Sequence, residues 1–280
     1  MKKMTLRPVK LPVKAMILAA GRGERMRPLT DVTPKPLLMV QGKPLMQWPL
    51  EALAHSGFTD VVVNTDWLGD QIEGYFSSIF GLVANRDVLN QLSNSERINI
   101  VYSHEGRDFG GALETAGGIA RALPLLCPVQ DEAVRDQAFW VLAGDVFAPD
   151  FEFSQAAVDR FMASGKLAHL WLVPNPTHNP GGDFGLALNA GEAVGLALNL
   201  PKDDPQPRYT YSTFGLYRRA LFEPPLSRIP FGNPLGVKAP LAPLLRAAMD
   251  NQTVSAEIYT GAWTDVGTPE RLAQLNHTPE

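Results

Sequence analysis

Apolar residues along the first half of the chain follow two alternating rhythms. Short unbroken runs, as in buried strands, alternate with longer segments whose apolar positions fall three and four apart, as in amphipathic helices. Residues 15–20 predict a buried parallel strand, 44–56 a helix ended by Gly57, and 60–64 a short β-branched strand. Residues 67–80 have helical spacing and end at Gly81, 98–103 read as a third strand, 114–126 as a helix and 138–143 as a fourth strand. This regular alternation predicts an α/β fold with a doubly wound, mainly parallel sheet flanked by helices. The polar stretch 85–97 is weakly periodic and is expected as a surface insertion.

Past residue 150 the rhythm loosens. Residues 167–173, 184–189, 193–198 and 209–217 read as strands of a mixed sheet, and frequent prolines between Pro201 and Pro243 predict irregular segments packed beside it. Nothing near Asp150 looks like a linker, so residues 14–280 are expected to form a single domain behind a flexible arm, 1–13.

Composition narrows the class. Of 280 residues 45% are apolar, enough for a sizeable core, yet no run approaches the roughly 18 to 20 apolar residues of a membrane span. The basic, proline-containing start lacks the apolar centre of a signal peptide. The single cysteine, Cys127, excludes an internal disulfide or cysteine-based zinc site, suits a reducing cytosol and reads as a small helix-end residue; a cytoplasmic location is expected. A net charge of −4 argues against general nucleic-acid binding. His104, His169 and His178 lack metal-ligand spacing and are expected to be structural.

The densest chemistry lies at 18–37, Leu-Ala-Ala-Gly-Arg-Gly-Glu-Arg-Met-Arg-Pro-Leu-Thr, then Asp-Val-Thr and Pro-Lys-Pro-Leu. Gly21 and Gly23 are spaced for close backbone approach to an anion, with Arg22, Arg25, Arg27 and Lys35 around them. A dinucleotide fingerprint needs a third glycine where Met26 stands, and a P-loop fails at the same residue. What remains is a longer cationic loop that Pro28 and Pro34 are expected to hold extended over the strand end. Ligands of open parallel sheets bind beyond the carboxyl ends of the strands, which singles out Asp145, in Ala-Gly-Asp-Val after the fourth strand. Asp265 stands in Trp-Thr-Asp-Val-Gly-Thr-Pro-Glu-Arg, with Thr268 as the expected N-cap of a helix and Pro269 at its first position.

Segment 18–37 resembles the signature of the sugar-1-phosphate nucleotidyltransferases, and the Gly-Asp at 144–145 and the Trp-x-Asp-Val-Gly-Thr-Pro at 263–269 follow in that family's order. The resemblance implies a Rossmann-like sheet of the nucleotide-diphospho-sugar transferase type, with 14–150 as nucleotide-binding half and 151–280 as sugar-binding half. It implies that Ala19, Ala20, Gly21 and Gly23 wrap a triphosphate, that Arg25, Lys35 and Asp145 are catalytic, and that Asp145 and Asp265 hold Mg²⁺. It places base recognition at Glu105, Glu114 and Gly117, and sugar recognition at Asn175, Asp183 and Ser212, with Thr213 beside it.

Many relatives read Leu-Gly-Thr-Ala-Gly where this chain has Leu-Glu-Thr-Ala-Gly-Gly, which is similar to uridylyltransferases acting on N-acetylmuramate 1-phosphate. UTP and that sugar phosphate are therefore the expected partners, with glucose, mannose or heptose 1-phosphate and dTTP, UTP or GTP as alternatives. Residues 107–111 are longer than the family pattern. A lysine expected near Asn175 is missing, so the acceptor phosphate is expected to lean on the metal and Arg25. Monomer and homo-oligomer stay open. The rival readings are a non-catalytic nucleotide-sugar sensor and an NAD-dependent oxidoreductase; Met26 and Asn64, where a ribose-binding acid would stand, disfavour the second.

Overall fold

The apolar runs become the central strands of one large sheet. The computed structural model describes residues 12–79, 98–128 and 136–277. In chain order its strands are β1 (Lys14–Leu18), β2 (Met39–Val40), β3 (Lys43–Pro44), β4 (Asp60–Thr65), β5 (Asn99–His104), β6 (Ala138–Ala143), β7 (Val146–Phe147), β8 (Ala168–Val173), β9 (Phe184–Ala187), β10 (Val194–Leu198), β11 (Arg208–Arg218), β12 (Val254–Ile258) and β13 (Thr264–Asp265). Nine of them form a sheet in the order β5-β4-β1-β6-β11-β8-β12-β10-β9. The first four run parallel; β11 then lies antiparallel between β6 and β8, and β12 is parallel to β8. β10 and β9 close the far edge with antiparallel pairing.

Central strands such as β6 and β8 are buried along their whole length because helices cover both faces. On one face, helices Gln47–His55, Gly69–Ile79 and Gln155–Ser164 bring Leu50, Leu53, Ile72, Phe76, Val158 and Phe161 against the sheet. On the other, Glu114–Leu126 and Leu241–Asp250 contribute Ile119, Leu123, Leu126, Leu245 and Met249. Each such fully buried side chain contributes about 1.5 to 3 kcal/mol. Cys127 is the buried residue ending helix Glu114–Leu126, and burial pushes its thiol up to about 12. Among the described residues no helix is long and apolar enough to cross a membrane.

The glycine-arginine loop differs from the extended strap expected of it. It folds into a 3-10 turn at Glu24–Met26, a helical turn at Leu29–Val32 and a second 3-10 turn at Lys35–Leu37. Proline breaks helices only in their interior; Pro28 stands just before its turn and Pro34 stays extended as the cap of the next, where no amide hydrogen is required. The Thr30 hydroxyl donates to the Gly23 carbonyl (2.8 Å) and locks the loop. Met26, fully buried, anchors a third apolar cluster with Leu38, Val40, Leu45, Phe147 and Val266, tying the loop to the β7–β13 ribbon. The insertion expected at 85–97 and nearly all of the expected arm lie outside the described residues.

Candidate active site

The parallel half of the sheet delivers its chemistry at one edge. Beyond the carboxyl end of β1, the Ala19 amide donates to Asn64 Oδ1 (2.8 Å), at the end of β4. Asn64 Nδ2 donates to Glu105 Oε1 (2.6 Å), and Glu105 Oε2 accepts from the Leu113 amide (2.7 Å). Glu105 is fully buried. Burial raises its carboxyl pKa and Asp66 adds to the rise, while the bonds from Leu113 and Asn64 oppose it. Gly118 is required beside this column, since a Cβ there would collide with Glu105 Oε1 and stand 3.1 Å from Asn64 Nδ2.

At the end of β6 the chain turns through Gly144, whose amide bonds the Leu18 carbonyl (2.9 Å) and whose missing Cβ admits Ile17 at 3.0 Å. The turn presents Asp145. The β7–β13 ribbon sets Asp265 opposite Val146, and the Val266 amide bonds the Asp145 carbonyl (3.0 Å). Both aspartates thus face one point, and the Lys35 ammonium occupies it, bonded to Asp145 Oδ2 and 3.9 Å from Asp265 Oδ1. Arg271 Nη1 donates to the Asp265 carbonyl (2.7 Å) and to Oδ2 (3.0 Å). His178 Nε2 lies 3.5 Å from the same carboxylate and beside Arg271 (3.1 Å). Burial and the Arg271 charge lower the pKa of His178 against the pull of Asp265. A Cβ at Gly267 would stand 2.7 Å from Arg271 and 3.0 Å from Arg25, so both guanidinium groups flank Asp265 there.

A cavity of about 570 Å³ opens above this edge, within the usual range for small-molecule sites. Of the residues singled out in the sequence, Ala19, Ala20, Gly21, Lys35, Glu105, Glu114, Asp145 and Asp183 line it. Arg25 and Asp265 stand at the adjoining cationic cluster. Others stand back from the wall for specific reasons. Gly23 has φ +68 and makes room for Thr30; Gly117 makes room for the backbone at Val237 and Ala239. Asn175 is exposed and donates to the Pro180 and Arg208 carbonyls. Ser212 is fully buried, donating to the Trp171 carbonyl.

Tertiary contacts and backbone conformation sort the remaining wall and cluster residues. Arg22 is engaged with the Thr30 carbonyl, Asp31 and the Trp67 ring, and Arg27 pairs with Asp31 (2.9 Å), so both brace the loop itself. Glu114 lines the cavity with φ +59, a left-handed conformation that glycine adopts without strain. Thr213 does so at φ +72, and its buried hydroxyl has no hydrogen-bond partner among the described residues. Arg246 and Tyr211 complete the far end. Arg246, Tyr211 and Arg271 were not singled out in the sequence; of these three Arg271 carried a signal, standing in the first turn of the helix that Thr268 caps.

The nucleotidyl transferase family model matches residues 14–280. The chain is 44% identical to N-acetylmuramate alpha-1-phosphate uridylyltransferase of Neisseria meningitidis serogroup B, over 94% of this chain and 96% of that one. Among solved structures it is similar to a UTP-bound UGPase from Acinetobacter baumannii (TM-score 0.67, 16% identity, 95% and 92% of the two chains). A UDP-glucose pyrophosphorylase complexed with UDP-glucose gives a TM-score of 0.68 at 16% identity, over 95% and 97%. The chain belongs to the nucleotidyl transferase family, as a sugar-1-phosphate nucleotidyltransferase.

Proposed function

We propose that this enzyme joins UTP to N-acetylmuramate 1-phosphate, giving UDP-N-acetylmuramate and pyrophosphate. The convergence of Lys35, Asp145 and Asp265 beside a cavity walled by both halves of the chain carries the reading of the reaction. The 44% identity to N-acetylmuramate alpha-1-phosphate uridylyltransferase over nearly the whole of both chains supports the choice of substrates. On this reading residues 14–150 hold the nucleotide and 151–280 the sugar, and the enzyme works in the cytoplasm, reusing cell-wall sugars.

The donor set fits Mg²⁺. Two carboxylates already share one cation, the Lys35 ammonium, and hard oxygen donors with room left for water and phosphate are what this ion takes. Among the described residues there is no larger group of His, Cys, Asp and Glu to suggest a different metal. Asp145 and Asp265 would hold the ion, which when bound supplies positive charge at phosphate oxygens.

The rest of the chemistry falls to the chain. The Ala20–Gly21 turn, positioned by the Ala19 amide's bond to the Asn64–Glu105 column, receives the triphosphate, with Lys35 and Arg25 offsetting its negative charge. An oxygen of the sugar phosphate attacks the α-phosphorus, the bond to the bridging oxygen breaks, and the electron pair leaves on pyrophosphate. No side-chain nucleophile takes part, so rate comes from alignment and fixed charge. The base lies against the Ala112–Thr115 turn and Glu114, while Asp183 and Thr213 wall the sugar end.

Pyrophosphate release screened over ATP, CTP, GTP and UTP against a panel of sugar 1-phosphates tests the assignment. UTP with N-acetylmuramate 1-phosphate is expected to be fastest. A faster pair with another base or sugar overturns the substrate, and nucleotide-sugar binding without turnover overturns catalysis.

A further inference from the structure

The far end of the cavity contains a charge that a neutral sugar does not need. Helix Leu241–Asp250 lays Leu241, Ala242, Leu245 and Arg246 along the wall beside Asp183 and Tyr211. Among the described residues the half-buried Arg246 guanidinium is held by neutral groups. Nη1 donates to Asn199 Oδ1 (2.7 Å), Nη2 reaches the Asp183 carbonyl (3.4 Å), and the group lies 5.2 Å from the Phe184 ring centroid.

The nearby carboxylates are committed elsewhere. Asp183 accepts from the Tyr211 amide (2.8 Å) and Asn179 (3.3 Å), and Asp250 accepts from Asn199 Nδ2 (3.0 and 3.3 Å). Among the described residues no carboxylate forms an ion pair with Arg246. Its planar fork has five donors, and these contacts leave several unused. A partly desolvated cation fixed by neutral partners keeps donors available to an anion arriving with the ligand. That anion is not the sugar's 1-phosphate, because the reacting oxygen must reach the α-phosphorus at the Lys35–Asp145–Asp265 cluster.

We propose that Arg246 binds a carboxylate carried by the sugar, so that the site selects acidic sugar 1-phosphates over neutral ones. This rests on the proposed placement of the sugar at this end of the cavity, beside Asp183 and Tyr211. N-acetylmuramate differs from N-acetylglucosamine only by a lactyl ether ending in a carboxylate. The two 1-phosphates therefore separate recognition of that group from recognition of ring and phosphate. A charge-assisted, two-point contact of this kind corresponds to roughly 10- to 100-fold in kcat/KM.

The test measures kcat/KM with saturating UTP for parent, Arg246→Gln and Arg246→Lys. The acceptors are the 1-phosphates of N-acetylmuramate, N-acetylglucosamine, glucose and glucuronate. Glutamine retains a donor for Asn199, and the ratio between acceptors is internal to one preparation, so partial loss of fold cancels. The expected result is a fall of roughly 10- to 100-fold for N-acetylmuramate 1-phosphate in Arg246→Gln, with N-acetylglucosamine 1-phosphate changed less than about threefold and Arg246→Lys between. An equal fall for both acceptors, or no fall, overturns the proposal. If the parent uses glucuronate but not N-acetylmuramate 1-phosphate, and Arg246→Gln loses that activity alone, Arg246 keeps its role and the proposed sugar fails. A parent that prefers neutral acceptors refutes both.

Discussion

Replacing Glu105 by leucine tests whether the buried Asn64–Glu105 column braces the loop proposed to bind the nucleotide. The substitution is close in volume, so the cost comes from what loses its partner. Asn64 Nδ2 and the Leu113 amide both donate to the carboxylate, and both would be stranded in a site without solvent. A buried donor left unpaired costs about 1 to 3 kcal/mol, so the pair costs about 2 to 6 kcal/mol. At about 2 °C per kcal/mol for a chain of this size, Tm should fall by about 4 to 12 °C. Asn64 would also lose the contact that aims its Oδ1 at the Ala19 amide, so the KM for UTP should rise several-fold while the KM for sugar 1-phosphate changes less. Differential scanning calorimetry with steady-state kinetics on Glu105→Leu and Asn64→Ala reads both effects. A Glu105→Leu protein that melts within about 1 °C of the parent and keeps its KM for UTP would refute the column as a brace.

Other outcomes follow from the same geometry. Asp145→Asn should lower kcat by about 10²-fold or more, and Lys35→Ala should weaken UTP binding more than sugar binding by calorimetric titration; parental turnover in the first, or unchanged UTP affinity in the second, contradicts their roles. Glu114→Gly should relieve left-handed strain of about 1 to 2 kcal/mol and raise Tm by about 2 to 4 °C, while discrimination among triphosphates in kcat/KM declines. Glu105 also sets a pH dependence. Burial raises its folded-state pKa, so its favourable contribution is complete below the ordinary carboxylate range and is lost as pH rises through the raised value. Glu105→Gln does not titrate, so melting curves from pH 4 to 8 should show the variant gaining stability relative to the parent, and parallel curves would contradict this.

How legible each part was depended on what fixes it. β6 and helix Glu114–Leu126 occupy the stretches their apolar patterns marked, because a strand buried on both faces reads as an unbroken apolar run and an amphipathic helix carries its period in sequence. Thr268 and Pro269 cap the last helix as their residue types require. Sugar-side residues were harder. The register of β11 against β8 shifts between Tyr211 and Gly215, so alternation along the strand no longer tells which side chain faces the cavity; Ser212 turns inward and Thr213 lines it. Nothing in the sequence set Arg246 apart from the chain's other cations, because its place at the cavity depends on the elements packed beside helix Leu241–Asp250. The loop at 21–37 carried its glycines and cations in plain sight, but their division of labour did not. Thr30, Trp67 and Asp31 claim Arg22 or Arg27 through tertiary contacts, leaving Lys35, with Arg25, at the aspartate cluster.

The most direct measurement follows the α-phosphorus itself. Purified enzyme in Mg²⁺ is given UTP labelled at the α-phosphate together with N-acetylmuramate 1-phosphate, and the label is traced by chromatography. Label should pass into UDP-N-acetylmuramate in step with release of one pyrophosphate, without entering the protein, and Asp145→Asn should suppress the transfer. Label recovered on the protein, or as UMP with no nucleotide-sugar formed, would contradict direct transfer at the Lys35–Asp145–Asp265 cluster.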